Sequence, residues 1–182
     1  MGQLVAQMAL LSGARRVFLV EPNGQRRAFA FDRDKCIEPI DPAEGLPALQ
    51  IKEKNDARPP DVVIECSGAV AGLHSAIQTA GIGGTVVAAG FYAGQASALS
   101  LGEEFLHNRV TIKASMGVWG CPSRFPQWDR ARLIREAFEI LAARKLNLEG
   151  FLSYTFKFDE AQQAYEAIAK DPGKYMKAAL IY

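Results

Sequence analysis

Gly2 and Glu21 stand 19 residues apart, and the apolar run Val17-Phe18-Leu19-Val20 leads straight into the glutamate. That spacing is half of a dinucleotide cradle. In a full cradle a glycine turn joins a strand to a helix, and backbone N–H groups at the helix N-terminus receive a pyrophosphate. An acid roughly 20 residues further on then binds the ribose hydroxyls from the end of the next strand. The sequence supplies a helix, a strand and the acid. The strand before the glycines, and the first two glycines of the fingerprint, are not in it. A plainer account also fits the pair: a glycine beside the initiating methionine and a solvated strand end.

The elements that must position such a site alternate along the first 116 residues. Leu4, Val5, Met8 and Leu11 give one apolar helical face, stopped by Gly13. The runs at 17–20 and 85–89 read as strands buried on both faces, as in parallel sheets, with strongly apolar runs at 61–66 and 110–115 and a weaker strand at 36–40. Helices are expected at 25–31, at 43–54 (weakened by Pro47), and with Val70, Leu73, Ala76 and Ile77 on one face. This alternation predicts an α/β fold with a doubly wound parallel sheet. Ligands of such sheets bind at the carboxyl ends of the strands, here Glu21, Cys66-Ser67-Gly68, Gly90-Phe91 and Ser115-Met116.

Composition excludes other classes. The 182 residues include 49% hydrophobic and 23% charged side chains, near the globular average, so disorder and fibrous structure are not expected. A net charge of +1 gives no basic excess for a nucleic-acid surface. No apolar run approaches the roughly 18 residues of a membrane span, and a cytoplasmic chain is expected. The three cysteines, Cys36, Cys66 and Cys121, are widely spaced and read as inert thiols. His74 and His107 have no partner at zinc-ligand spacing and read as structural or solvated. No Gly-x-Ser-x-Gly motif or Ser/His/Asp arrangement offers a different chemistry.

After residue 116 the pattern changes. Residues 117–128 hold two Pro and two Trp without periodicity and read as a linker. Asp129 is expected to cap a helix running to about Arg144, with Leu133, Ala137, Ile140 and Leu141 inward. A strand follows at 152–156. Asp159 with Gln162 forms a variant capping box for a helix whose face carries Ala164, Tyr165 and Ile168. Asp171-Pro172-Gly173 ends it, and 177–182 reads as a terminal strand.

The ordered set Gly2-Gln3-Leu4-Val5-Ala6-Gln7-Met8-Ala9, Val20-Glu21-Pro22-Asn23, Asp61 to Gly68 and Gly83-Gly84-Thr85-Val86-Val87 resembles the medium-chain, zinc-binding alcohol dehydrogenase superfamily. The segment from Phe158-Asp159-Glu160-Ala161 to Ala164-Tyr165 and the closing 177–182 strand resemble that family's carboxyl end. Residues 102–109 and 128–133 look most like the bacteriochlorophyllide-dehydrogenase-like branch.

The resemblance implies an N-terminally truncated Rossmann domain over 1–116, lacking its first strand. It assigns 117–182 to the C-terminal portion of the catalytic, GroES-like domain. It makes Gly2 the last glycine of the phosphate turn and Glu21 the ribose anchor. Glu21 favours NAD over NADP, because a 2′-phosphate would meet a like charge. Arg26 flanks the adenosine ribose and leaves NADP open. Cys66, Ser67, Gly68, Gly90 and Phe91 line the nicotinamide half, and Lys177 approaches the pyrophosphate from the last strand.

The zinc ligands of the family lie in an N-terminal domain outside this sequence, so neither a metal ligand nor a catalytic residue is assigned. The expected function is the coenzyme-binding part of an NAD(P)-dependent dehydrogenase acting on a small alcohol or carbonyl substrate, inactive without the other domain. The alternative is a non-catalytic nucleotide-binding or interaction module. In a sheet of order 3-2-1-4-5-6 the first strand is central. Without it the strands at Val17 and Asp61 keep open edges, which invite a homo-oligomer or a complementing N-terminal fragment.

Overall fold

The computed structural model describes residues 1–30, 36–121 and 123–182. In chain order the elements are α1 (Gly2–Leu11), β1 (Val17–Val20), α2 (Gly24–Ala28), β2 (Ile37–Ile40), α3 (Pro47–Lys54), β3 (Val62–Glu65), α4 (Val70–Thr79), β4 (Thr85–Ala88), α5 (Glu104–His107), β5 (Thr111–Ala114), α6 (Arg130–Ala142), β6 (Leu152–Lys157), α7 (Ala161–Lys170) and β7 (Lys177–Ile181). The first five strands alternate with helices, as the periodicity predicts. The helix expected at 25–31 is the shorter α2, and the end of that expectation, Phe31, lies outside the described residues. The helix expected at 43–54 is split. A 3-10 turn at Pro42–Glu44 runs into Gly45 at φ +148°, and Pro47 then opens α3. Proline suits a first helical turn, where its absent N–H is not needed, so Pro47 starts this helix instead of weakening it.

All strand pairs are parallel, in three separate sheets: β1 with β2, β3-β4-β5 in that order, and β6 with β7. The first two sheets follow the doubly wound order on either side of the place a central strand would take. The ladders show which edges are open. Val17 and Glu21 donate to the carbonyls of Cys36 and Ile40. By the alternation of a parallel ladder, Phe18 and Val20 turn their N–H and C=O groups the other way. Thr85 and Ala89 likewise donate to Asp61 and Glu65, leaving Val62 and Ile64 to face away from β4. The edges of β1 and β3 that should flank a central strand are thus unpaired in the described ladders. α3 touches both β2 and α4, which ties the two sheets together.

The main core lies under α4. Leu73, Ala76, Ile77, Ala80, Val86 and Val110 form it, with Val63, Ala88, Tyr92, Leu99 and Phe105 packed against them. Val63, Val86 and Ile112 share one register level, so the α4 face of the sheet is set by residue parity. The opposite face carries Val62, Ile64 and Val87, and Val62 is 55% exposed. β3 is therefore covered on one face only, and β1, the run expected to be buried on both faces, holds no buried residue and has Val20 40% exposed. No described element covers the second face of β3 to the same depth.

The C-terminal part departs further from expectation. Asp129 does cap α6, accepting from the Arg132 N–H at 2.8 Å. No residue of α6 is buried, however, and Ala137 and Leu141 are exposed where they were expected to point inward. The main contact of α6 is with the 3-10 turn Gly117–Trp119, too small to cover its apolar stripe. Asp159 is not a cap either. A 3-10 turn at Phe158–Glu160 takes up the start of the helix, and Glu160 reaches back to the Lys157 N–H at 3.1 Å. Gln162 pairs along the helix with Glu166 at 2.9 Å. In α7, Ala164 is buried but Tyr165 is 76% exposed, because the inward line runs through Ala161, Ala164 and Ile168 at helical spacing.

Ile77 is fully buried at the centre of the core, whereas Ile82 projects into solvent. Ile77→Ala is expected to lower unfolding stability by about 2–5 kcal/mol through lost burial and a residual cavity. Ile82→Ala should change it by less than about 0.5 kcal/mol. Urea midpoints at constant m-value check both.

Candidate nucleotide-binding rim

Two clusters of side chains and backbone sit at the carboxyl ends of the strands. The first is built around the turn after β1. One carboxylate oxygen of Glu21 accepts the Asn23 N–H at 2.9 Å, folding the side chain over its own turn. Asn23 caps α2 by accepting the Arg26 N–H at 2.9 Å. Arg27 donates to the Glu21 carbonyl at 2.7 Å and forms an ion pair with Asp41. Glu21 itself, half-buried, has no cationic partner among the described residues.

Helix α1 is moored to the same turn. Gln3, a buried polar residue, donates its amide to the Arg26 carbonyl at 3.0 Å. Met1 is the residue before the helix, and its carbonyl accepts from Leu4 and Val5, which leaves the first-turn donors of Gly2 and Gln3 outside the helix ladder. A Cβ at Gly2 would make only ordinary contact with Leu19 Cδ1, at 3.5 Å, so the packing of α1 on β1 does not itself require glycine there.

Arg26 has a role that its place in the sequence did not suggest. Its guanidinium donates to the Pro172 carbonyl at 2.6 Å and reaches the Tyr175 carbonyl at 3.5 Å. The loop it grips presses so close that a side chain at Gly173 would collide with Asn23. Tyr175 is buried and meets Tyr154 edge-on, ring centroids 5.1 Å apart. Lys177, exposed, opens β7 two residues later. Residues 21, 23, 26 and 172–175 are therefore brought together although 146 positions separate Arg26 from Pro172.

The second cluster surrounds a residue that the sequence reading passed over, Glu65. Its side chain is buried at the end of β3. One oxygen accepts the Ser67 N–H at 2.6 Å and the Ser67 hydroxyl; the other accepts the Gly68 N–H at 3.1 Å and the Tyr92 hydroxyl. Burial alone would raise this carboxyl, but the hydrogen bonds from Ser67, Tyr92 and Gly68 together outweigh it and hold Glu65 below the usual carboxylate range. The Tyr92 hydroxyl moves the other way, raised first by burial and then by the adjacent carboxylate.

Glycines make room for this arrangement. A Cβ on Gly68, at φ +74°, would collide with the Phe91 carbonyl, and one on Gly90 with the Gly68 backbone. A Cβ on Gly72 would come within 2.7 Å of Ser67 Oγ and 2.9 Å of Glu65 Oε1. The β3 and β4 exits therefore touch backbone to backbone. Cys66, whose thiol is raised chiefly by burial, and the exposed ring of Phe91 flank the contact. One sequence signal could have identified Glu65: a single carboxylate inside an apolar strand run must find partners.

The structure thus gathers Glu21, Asn23, Arg26 and the 172–175 loop about one turn, while Gly2 stands at the start of α1 and Lys177 at the start of β7; Ser67, Gly68, Gly90 and Phe91 meet about the other exit, beside Cys66. Among the described residues no group of three His, Cys, Asp or Glu could hold a metal ion, and no disulfide joins the cysteines. No described helix is long and apolar enough to cross a membrane.

Known proteins resemble this chain in sequence and in fold. The D-guloside 3-dehydrogenase of Escherichia coli K12 is 28% identical over all of this chain, which covers 52% of that protein. The D-xylulose reductase of Saccharomyces cerevisiae is 26% identical over 98% of the chain, covering 48% of its own length. A short chain alcohol dehydrogenase from Escherichia coli CFT073, solved with NADH, superposes at a TM-score of 0.74 with 16% identity, over 99% of this chain and 49% of that one. The chain spans about half the length of the proteins it matches. The zinc-binding dehydrogenase profile matches residues 1–134. With the parallel strand order and the glycine-lined rim in place, that match makes the chain a member of the zinc-binding dehydrogenase family, corresponding to its coenzyme-binding half.

Proposed function

We propose that the chain is the coenzyme-binding part of an NAD(P)-dependent, zinc-type alcohol dehydrogenase. The reaction is hydride transfer between a nicotinamide and a small alcohol or carbonyl compound. The observation that carries this reading is Glu21, a half-buried carboxylate without a cationic partner among the described residues, at the carboxyl end of β1 beside an open strand edge. The residues fit an adenosine ribose there. One oxygen of Glu21 is taken by Asn23 and the other is left for sugar hydroxyls. Relatives named for sugar and polyol oxidoreduction support a polyol-like substrate.

In this reading Glu21 binds the ribose and disfavours a 2′-phosphate, so NAD is preferred. Arg26, committed to the 172–175 loop, shapes the ribose end and carries Lys177 toward the pyrophosphate. The free first-turn donors at Gly2 receive phosphate oxygens. Cys66, Ser67, Gly68, Gly90 and Phe91 form the wall for the nicotinamide, which supplies the hydride acceptor when bound. Zinc would polarise the alcohol oxygen in the complete family architecture. The described residues offer it no ligand set, and no step in this chain runs through it.

Residues 1–116 are assigned to the coenzyme-binding domain and 117–182 to part of the catalytic domain. The exposed apolar stripe of α6 (Ile134, Phe138, Leu141) and the stacked pair Phe158 and Tyr182 support a further catalytic portion packed on that segment. Catalysis then needs that portion. A cytoplasmic setting, where thiols stay reduced, is in keeping with cysteines that form no disulfide among the described residues. The open edges of β1 and β3 favour a homo-oligomer or a complementing strand-bearing fragment. They equally suit the second reading, a non-catalytic nucleotide-binding or interaction module.

Isothermal titration with NADH tests the central claim: saturable binding is expected, and no heat at millimolar ligand with folded protein removes it. Glu21→Ala should weaken NADH binding by about 10- to 100-fold, the worth of hydrogen bonds to a charged group, and erase the preference over NADPH. An unchanged preference refutes the role of Glu21. In analytical ultracentrifugation the chain alone should associate with rising concentration; a monodisperse monomer at every concentration argues against a partner at the open edges.

A further inference from the structure

We propose that the Glu65 carboxylate is a positioning residue of the nucleotide crevice. It latches the exits of β3 and β4 together, and so shapes the Ser67–Gly68 and Gly90–Phe91 backbone into the wall against which a nicotinamide ring packs. The ring's place on that wall rests on the function proposed above; the latch itself rests on geometry.

Four donors from two different strand exits converge on this one side chain. Ser67 N–H, Ser67 Oγ–H and Gly68 N–H come from the β3 exit, and the Tyr92 hydroxyl comes from the segment after β4. The backbone of the same residue completes the clasp, because the Glu65 carbonyl accepts from Ala89 at 2.8 Å and Gly90 at 3.0 Å. Each carboxylate oxygen receives one backbone N–H: Ser67 on Oε1, Gly68 on Oε2. A backbone N–H cannot reverse its polarity. A carboxamide in either orientation would therefore set an NH2 against one of those two donors. The site demands a carboxylate, and not merely a polar side chain of that size. The glycines enforce the same demand, since a Cβ on Gly72 or Gly90 would crowd the carboxylate oxygens, at 2.9 Å from Oε1 and 3.0 Å from Oε2.

The interactions Glu65 makes are directed inward, away from any ligand. All of its partners belong to the wall, and Ser67 Oγ passes the restraint on by accepting the Ala69 N–H at 3.0 Å at the start of α4. Phe91, held by its neighbours Gly90 and Tyr92, remains 82% exposed. Glu65 thus acts through the backbone it orders. Among the described residues the titratable groups that act with it are the Tyr92 hydroxyl and the Cys66 thiol, both neutral near pH 7; the N-terminal ammonium is felt by Cys66, and no described cation is paired with the Glu65 carboxylate.

The test compares the full chain with its Glu65→Gln, Glu65→Asp and Tyr92→Phe variants. Amide hydrogen exchange without ligand reads the latch. Glu65→Gln should speed exchange at Ser67 and Gly68 by about tenfold or more, as expected when a charge-assisted bond is lost. Ile77 in the α4 core should keep its protection. Tyr92→Phe, which keeps the carboxylate, should give a smaller change, and Glu65→Asp should restore part of the protection. In the wild-type chain the protection should survive acidification through the ordinary carboxylate range and fail only below it. The folded carboxyl titrates lower than the unfolded one, so its contribution is complete above the unfolded value and lost as pH falls through the folded value.

Titration with NADH and with AMP then reads positioning. Glu65→Gln should weaken NADH by about tenfold while leaving AMP, which lacks the nicotinamide half, unchanged. Unaltered exchange at Ser67 and Gly68 in Glu65→Gln overturns the latch whatever binds. Equal losses for NADH and AMP overturn its restriction to the nicotinamide wall. A wild-type chain that is folded and binds neither ligand refutes the proposed function instead, and the exchange measurement still decides the latch.

Discussion

A strand inside a parallel sheet must satisfy hydrogen bonds on two edges, and in this chain β1 and β3 each satisfy only one. Much else follows from that constraint. The first two sheets stay separate, joined through α3 and not through a shared ladder. Phe18 and Val20 turn their backbone groups away from β2, and Val62 and Ile64 away from β4, to a region where no described ladder runs. The rim that would receive a nucleotide is consequently split between two bodies of sheet, with Glu21 ending one and Glu65 the next. Any occupant of the region must run parallel to both edges, and it would set the spacing of the two halves of the rim.

Within each half, the chain uses different physics to fix its loops. At the Glu21 end the restraint is long-range and distributed. Gln3 and Arg26 donate to backbone carbonyls, the Asn23 side chain accepts the Arg26 N–H, and Gly173 packs against Asn23, which together bind α1, α2 and the 172–175 loop to one turn. Such a network is exposed enough that each bond contributes modestly. At the Glu65 end the restraint is short-range and concentrated. One buried charge, whose desolvation must be offset by good donors, recruits all of them from within reach. This arrangement leaves Glu21 available to a ligand while Glu65 is fully occupied by protein.

The C-terminal segment links these two views. Its β6–β7 sheet is anchored through Tyr175 against Tyr154, and the same loop is gripped by Arg26. Asn147 and Gln7 exchange reciprocal hydrogen bonds at 2.7 and 3.0 Å, fastening α1 to the loop before β6. Residues before 116 and the segment after it are therefore joined at the Glu21 turn and along α1. By contrast α6 carries its apolar stripe outward, with Phe138 67% exposed. A surface of that kind is ordinary at the boundary of a larger assembly of elements.

Local pattern was enough for the sequence to announce the alternation of strands and helices, the cap at Asp129, the position of Glu21 and the open flanks of β1 and β3. Each of these is encoded by periodicity, by a capping side chain, or by counting strands against a known sheet order. Burial was not encoded in the same way. Apolar runs at 62–64 look identical whether one face or both are covered, and only the packing of α4 shows which face of β3 lies inside. The same holds for Tyr165 and for α6, where helical spacing defines a stripe but not whether anything lies against it. Arg26 and Glu65 show the limit most clearly. Their partners, Pro172 in one case and Tyr92 in the other, lie 146 and 27 positions away. A hydrogen bond depends on distance in space, so those two contacts were decided by the tertiary structure, even though the other donors to Glu65, at Ser67 and Gly68, are its sequence neighbours.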